Sequence, residues 1–369
     1  MRKLRRVAAL ALAGMMALAG TGCSGSGSSG SGEESGQQVS ASEENTGGEE
    51  ESPESGDAKR ACLITSTARG NEYVDLIWSG FEDLEKDGWE VKCIECFEAA
   101  EQLEQVRAMC AEGYDLIYTN GDDIMYAIWD IQDELNEMYP ETRFFFLDTY
   151  ETSTMPNSCT VTIDPFESCF IAGYVAANMS ETGKIGLMLP VDSPILQRFE
   201  YGYLAGVDYA DNGAEIIKAY TNDLYDTTKG YESTISLLET NPDIDLIAQA
   251  AYISGYGVIS ACSDKEIPCI GVDNWQGDID PCVFWSAIKS MNIAVTKTAE
   301  MWENGEEIPS SLNLNLAYGG EAYAEQDLKN LPDELAAEVT DLAEKIRSGE
   351  LDVFANGYEE WKIVNATEE

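Results

Sequence analysis

The sequence predicts an α/β protein built as two doubly wound lobes, and three observations carry that expectation. From residue 61 onward short apolar runs alternate with helical patterns, which implies parallel sheets covered by helices on both faces. Ten strand candidates emerge, too many for one comfortable open sheet. The acidic Asp164-Pro165 after the fifth candidate looks like a crossover between lobes. A TIM barrel is the main competing architecture for the same alternation.

The strand candidates are 61–65, 89–97, 116–119, 143–148, 159–163, 184–189, 214–220, 246–250, 267–273 and 282–288. Between most of them, apolar residues at spacings of three and four mark helices. Val74, Ile77, Trp78, Phe81 and Leu84 define the first, and Ile124, Ile128, Ile131 and Leu135 the third. Asp122 and Asp123 follow a glycine and start a helix, whose dipole favours acids there, rather than forming a catalytic dyad.

Four cations, Arg2, Lys3, Arg5 and Arg6, precede an apolar run at 7–19 that is too short to span a bilayer and right for a signal peptide, residues 1–22. The run ends in Leu18-Ala19-Gly20-Thr21-Gly22-Cys23, which resembles a bacterial lipobox and makes Cys23 the expected lipidation site and mature N-terminus. Gly20 stands where a large aliphatic residue is more usual. Residues 24–58 are dominated by Ser, Gly and Glu and cannot bury a core. Such a tether reaches about 30 to 35 Å, and its acids stretch it further. Residues 23–58 therefore read as an anchor and a spacer.

Composition removes whole function classes. Lys and Arg number 22 against 68 Asp and Glu, for a formal charge of −46. A surface this acidic repels phosphate backbones, so no nucleic-acid partner is expected. The sequence contains no His, which eliminates Ser-His, Cys-His and His-zinc chemistry. Nine cysteines follow Cys23, an odd number, so at least one is unpaired in a monomer. Cys62, Cys93, Cys110 and Cys269 sit in apolar runs as small buried hydrophobes. Cys93 and Cys96 form a CxxC inside a strand-like run instead of at a strand-to-helix turn, so neither redox nor metal function is expected of it. Free thiols on an exported chain fit an oxygen-poor habitat.

Nucleotide motifs fail on inspection. Gly255-Tyr256-Gly257 opens a helix but has Ser260 where a dinucleotide fingerprint needs its third glycine. Gly183-Lys184 looks like the end of a P-loop, yet Asn178 and Ile185 occupy the positions for the first glycine and the hydroxyl residue. In a doubly wound sheet the ligand lies outside the carboxyl ends of the strands. Reading those ends gives Ser66, Asn120, Asp148, Gln249 and Asp273. Amides and isolated acids there suit a neutral polyhydroxylated ligand, because one carboxylate can accept two hydroxyl protons. Trp78, Tyr252 and Trp275 are aromatics near strand ends that could stack on a ring, with core packing favoured for Trp78.

Several segments, taken in order, carry a family resemblance. They are Ile171-Ala172-Gly173-Tyr174-Val175-Ala176-Ala177-Asn178-Met179-Ser180, Thr182-Gly183-Lys184-Ile185-Gly186 and Arg198-Phe199-Glu200-Tyr201-Gly202-Tyr203-Leu204-Ala205-Gly206-Val207. Asp226-Thr227-Thr228-Lys229-Gly230, Gln249-Ala250-Ala251, Ile270-Gly271-Val272-Asp273 and Ser286-Ala287-Ile288-Lys289 continue the series. Together these segments resemble the Bmp (basic membrane protein) family of ABC-transporter substrate-binding lipoproteins, which includes purine-nucleoside receptors. The resemblance implies a type I periplasmic-binding-protein fold, two Rossmann-like lobes joined by crossing hinge segments. The expected lobes are 59–164 with 287–308 and 165–286 with 309–350, followed by a tail at 351–369.

The resemblance also implies that Asp273 and Lys289 bind ribose hydroxyls. Leu224 stands at the family's base-stacking position, with Tyr225 beside it as a substitute. The family's base-recognition stretch is replaced here by Gly70-Asn71-Glu72-Tyr73-Val74-Asp75-Leu76-Ile77. The candidate ligand set is thus Asp273, Lys289, Tyr225, Asp148, Asn120, Ser66, Gln249, Phe199 and Trp275. The expected function is capture of a nucleoside-like or other polyhydroxylated molecule by a monomeric, lipid-anchored, extracytoplasmic receptor serving ABC permease subunits. No catalysis, cofactor or metal is expected. A sensory lipoprotein of the same fold that signals to a membrane partner is the alternative.

Overall fold

Eleven strands and ten α-helices occupy residues 58–354, the residues described by a computed structural model of the chain. The signal run, Cys23, the acidic tether and the tail from residue 355 lie outside the described residues. The first sheet holds β1 (Arg60–Thr65), β2 (Glu90–Glu95), β3 (Leu116–Asn120), β4 (Arg143–Leu147), β5 (Ser158–Ile163) and β11 (Ser311–Leu314), in the order β11-β5-β4-β3-β1-β2. The second holds β6 (Lys184–Leu189), β7 (Glu215–Tyr220), β8 (Leu246–Gln249), β9 (Cys269–Asp273) and β10 (Val283–Ile288), in the order β10-β9-β8-β6-β7. Every pairing is parallel. Both sheets repeat one topology, in which the second strand lies outside the first and the order then reverses. That reversal opens a crevice at the carboxyl ends of β1 and β3 in one lobe and of β6 and β8 in the other.

The central strands are buried on both faces, which is why they read as continuous apolar runs such as Phe144-Phe145-Phe146-Leu147. Helices α1 (Glu72–Lys86), α2 (Ala99–Ala111), α3 (Asp122–Asp130) and α4 (Gln132–Met138) cover the first sheet together with α9 (Asn292–Glu303). The second sheet is covered by α5 (Phe166–Met179), α6 (Pro194–Ala210), α7 (Thr227–Thr240), α8 (Gly255–Asp264) and α10 (Asp333–Arg347). Tyr118 stacks on Phe145 at 4.8 Å and pairs its buried hydroxyl with Thr298 of α9 at 2.9 Å. This contact locks a late helix onto the early sheet, so the chain must cross between lobes after β5, after β10 and again after β11.

Two of the resemblance motifs acquire a packing explanation where α5 meets α6. A Cβ on Gly206 would lie 1.9 Å from the Phe170 carbonyl oxygen, and one on Gly173 would lie 2.3 Å from that of Tyr203. The two helix backbones touch, and only glycine fits between them.

Four expectations change. The third helical pattern is two helices, since Ile131 leaves helical geometry (φ −114°, ψ 15°) between α3 and α4. The strand expected at 89–97 is the shorter β2. The lobe boundary at 286/287 would cut β10, whose Ala287 and Ile288 still pair with Val272 and Asp273. Residues 309–314 belong to the first lobe, because β11 pairs with β5; the second lobe resumes only after it. At four residues, Ser-Leu-Asn-Leu alternates too briefly to signal a strand.

All nine described cysteines are free. Burial pushes the Cys93 and Cys96 thiols up, away from the reactive thiolate. Among the described residues no helix is long and apolar enough to cross a membrane.

Gly206→Ala forces two packed backbones apart and should cost about 1 to 3 kcal/mol, the usual penalty for overpacking. Thermal melting checks this, and an unchanged midpoint would contradict the close helix contact.

Candidate functional site

The carboxyl ends of the two sheets enclose a cavity of about 310 Å³. Its polar residues owe their direction to unusual backbone. Asp148, just beyond β4, has φ 60°, Asp273 at the end of β9 has φ 65°, and Tyr252, after β8, has φ 54°. Left-handed backbone costs a non-glycine residue of order 1 kcal/mol or more, and such strain concentrates at binding sites.

Lys289, which follows β10, is the centre of the polar wall. Its Nζ donates to Asp148 Oδ1 at 2.5 Å, and Tyr73 Oη donates to the other carboxylate oxygen at 3.0 Å. The Lys289 backbone N–H donates to the Asp273 carbonyl at 2.9 Å. The lysine is 4% exposed. Burial alone would lower its pKa, but Asp148 and Asp273 outweigh burial and hold the ammonium charged. Asp273 shows the opposite balance. Burial, aided by Asp148 and Glu72 and opposed by Lys289, pushes its carboxyl up to about 6.

Two acceptors in this wall lack partners. Asp273 Oδ1 and Asn120 Oδ1 are both buried without a hydrogen bond, and Asn120 is 8% exposed. Buried polar atoms are nearly always satisfied, so these two call for donors from something in the cavity. They come from different lobes.

The facing wall is apolar. Ile195, Leu196 and Phe199 project from the first turns of α6, which Ser193 caps by accepting from Leu196 N–H. Leu224 and Tyr225 come from the loop before α7, where Asp226 caps the helix. Tyr225 is 67% exposed and meets Tyr252 edge-on, with centroids 5.6 Å apart at 82°. The Lys289 ammonium lies 5.7 Å from the Phe199 ring centroid, in cation–π range.

A seam of polar contacts joins the lobes beside the cavity. Gln276 of the second lobe donates to Glu72 of the first at 3.3 Å, and Gln276 is itself held by Gln249 Nε2 at 2.8 Å. At the crossovers, Arg198 pairs with Asp164. The Glu167 carboxylate accepts from Leu316 N–H at 2.9 Å and from the Asn315 side chain at 3.2 Å, which ties the first crossover to the third.

Of the nine ligand candidates, Asp273, Lys289, Tyr225, Asp148, Asn120 and Phe199 line the cavity. Ser66, Gln249 and Trp275 do not. Ser66 is exposed and Thr67 lines the wall instead. Gln249 is fully buried and spends its amide on Gln276 and the Ala251 N–H, so it supports the wall without forming it. Trp275 folds against Gly277, where a Cβ would strike its ring. Trp78 stacks on Phe81 at 5.1 Å under Arg69, a packing role, while Tyr252 joins the wall. Tyr73, Ile195 and Leu196 were not anticipated. Each sits in the first turn of a helix, and capping residues Asn71 and Ser193 were the available signal. Among the described residues no group of acids or cysteines is arranged to hold a metal.

The sequence profile described as "ABC transporter substrate-binding protein PnrA-like" matches residues 59–356. Basic membrane protein A2 of Borrelia garinii subsp. bavariensis is 27% identical over 316 residues, which cover 82% of this chain and 90% of that protein. Among solved structures, an ABC transporter solute-binding protein from Conexibacter woesei superposes with a TM-score of 0.64 at 24% identity, covering 80% of this chain and 98% of that one. One from Aeropyrum pernix gives 0.64 at 20% identity, covering 80% and 92%. Both support the two-lobed periplasmic-binding-protein fold. Proteins of this kind are extracytoplasmic and bind solutes without transforming them. With the family profile matched across both lobes and all three crossovers, the chain belongs to the Bmp family of ABC-transporter substrate-binding proteins.

Proposed function

We propose that this protein is a lipid-anchored receptor that captures a nucleoside-like or other polyhydroxylated small molecule between its lobes and delivers it to the permease subunits of an ABC importer. The observation that carries the reading is the pair of unpartnered buried acceptors, Asn120 Oδ1 and Asp273 Oδ1, flanking the Lys289–Asp148 ion pair. Vicinal hydroxyls satisfy such a wall, donating to the carboxylates and accepting from the ammonium. The wall of Phe199, Leu224, Tyr225 and Tyr252 suits the flat or apolar remainder of the ligand. Because the polar contacts come from both lobes, a ligand satisfies them fully only when the lobes are closed, which supplies the differential affinity that closure requires. The lipid on Cys23 and the acidic tether would hold the body at the outer membrane face, near a permease.

A nucleoside at a hundred times its dissociation constant should stabilise the protein by about 2.7 kcal/mol, read as a rise in melting temperature. Asp273→Ala should abolish that rise, and 2′-deoxynucleosides should bind more weakly than ribonucleosides because one polar group is left unpaired. Absence of any shift with nucleosides and pentoses would remove this ligand class.

Affinity should also fall with pH through the Asp273 titration near 6, since the protonated carboxyl accepts less well. The empty protein should respond in the opposite sense. A carboxyl whose folded pKa is raised contributes stability at low pH that is lost as pH rises toward 6. Calorimetric titration from pH 5 to 8, repeated with Asp273→Asn, separates these; equal pH slopes in both proteins would show that another group governs binding.

Cys23→Ser should release the folded protein from the membrane fraction, and its retention there would refute the anchor.

A further inference from the structure

Away from the cleft, the amino ends of β9 and β10 and the last turns of α8 bring three thiols together. Cys262 and Cys269 are fully buried in the apolar cluster under the second sheet, and Cys282 is partly exposed at its edge. Ile267 N–H, two residues before Cys269, donates to the Cys262 carbonyl at 2.9 Å, and Cys269 N–H donates to the Cys282 carbonyl at 2.8 Å. The Cys269 Sγ donates to the Ile270 carbonyl at 3.7 Å, and the nearby Cys262 thiol, together with burial, pushes the Cys269 thiol up. The Cys282 thiol donates to the carbonyl of Ile259, one turn before Cys262 on α8, at 3.6 Å. Chance placement of small hydrophobes explains isolated buried cysteines such as Cys62 or Cys159. It does not explain three cysteines gathered in one apolar cluster around the last turns of α8, with one of them open to solvent.

We propose that Cys262 and Cys269 form an oxidative modification site, a latent disulfide that pins the end of α8 to β9, with Cys282 as the gateway through which a small-molecule disulfide reaches them. The exchange balances as two thiols plus one disulfide RSSR giving one protein disulfide and two RSH. The Cys282 sulfur, losing its proton to solvent, attacks RSSR and releases RS⁻, which takes up a proton. A neighbouring cysteine sulfur then attacks Cys282 Sγ and expels the second RS⁻, and thiol exchange moves the bond to the Cys262–Cys269 pair. Burial, with Asp280 beside it, pushes the Cys282 thiol up, so the reaction is slow and the thiols persist under reducing conditions. An extracytoplasmic protein meets such oxidants directly.

The test uses the full chain incubated with oxidised glutathione under native conditions, then alkylated and digested with trypsin without reduction. Cleavage after Lys229, Lys265 and Lys289 places Cys262 on one peptide and Cys269 with Cys282 on the next. The expected product is those two peptides joined, with fragmentation placing the bond on Cys269 and with intact mass lower by about 2 Da. The oxidised protein should melt a few degrees higher, because the cross-link constrains the unfolded chain. Cys262→Ser should abolish the product, and Cys282→Ser should slow its formation about tenfold or more while leaving its identity unchanged. Recovery of reduced Cys262 and Cys269, or of a bond between other cysteines, overturns the proposal. Oxidation of Cys282→Ser at the wild-type rate overturns the gateway.

Discussion

A buried ammonium cannot stand alone in a protein interior, and Lys289 meets that constraint by drawing on three separated parts of the chain. Its charge is balanced by Asp148 at the end of the first sheet and Asp273 at the end of the second, while its own backbone begins a crossover between them. Removing one partner of such a group costs about 3 to 5 kcal/mol, because the remaining charge stays desolvated. The two lobes are therefore held in register by a polar centre at the point where they meet. Backbone is left-handed at both aspartates, and at Asp148 the strained turn is offset by the bond that its carboxylate accepts from the ammonium.

This arrangement also decides which ligands the cleft can satisfy. Lys289 is already neutralised, and Glu72, Asp148 and Asp273 leave the polar wall with more acceptors than donors. A phosphate would add negative charge where the nearby cation is engaged and further carboxylates stand close. Hydroxyls do the reverse, since each supplies a proton to an orphaned oxygen. The proposed preference for neutral donors rests on this local charge balance, in keeping with a chain that carries −46 overall.

Much of this was legible in the sequence, and the failures have a common cause. All ten expected strands are present, and the central ones are the plainest because a strand buried on both faces must be written as a continuous apolar run. Asn120, Asp148 and Asp273 were accessible to the same reading, since the residue at a strand's carboxyl end lies at the crevice whatever follows it. Gln249 also ends a strand, yet its amide turns inward to Gln276; only the partner's position, 27 residues away, decides between cleft and core. Ser66 misses by one residue because Thr65 turns its hydroxyl back onto the loop, accepting from Thr67 N–H at 3.1 Å, and the wall is built from Thr67. Tyr73 and the edge strand β11 depend on contacts distant in sequence. A local pattern carries no trace of them.

The segments that carry the family likeness divide by what they do. Gly173, Gly202 and Gly206 serve the contact between α5 and α6, and of the whole stretch from Arg198 to Val207 only Phe199 reaches the cavity. Asp226 caps α7, and Gln249 braces Gln276. These residues build the scaffold. Thr67, Tyr73, Leu196, Leu224 and Tyr225 line the cleft from connecting loops and first helical turns, and of these only Tyr73 and Leu196 also pack against a hydrophobic core. A sequence can therefore keep the packing glycines, the caps and the Asp273–Lys289 centre while its loops exchange one ligand surface for another. Family membership in such a fold specifies the scaffold, and the departure at 70–77 keeps Val74 and Ile77 in the core while it changes residues such as Tyr73 that face the cleft.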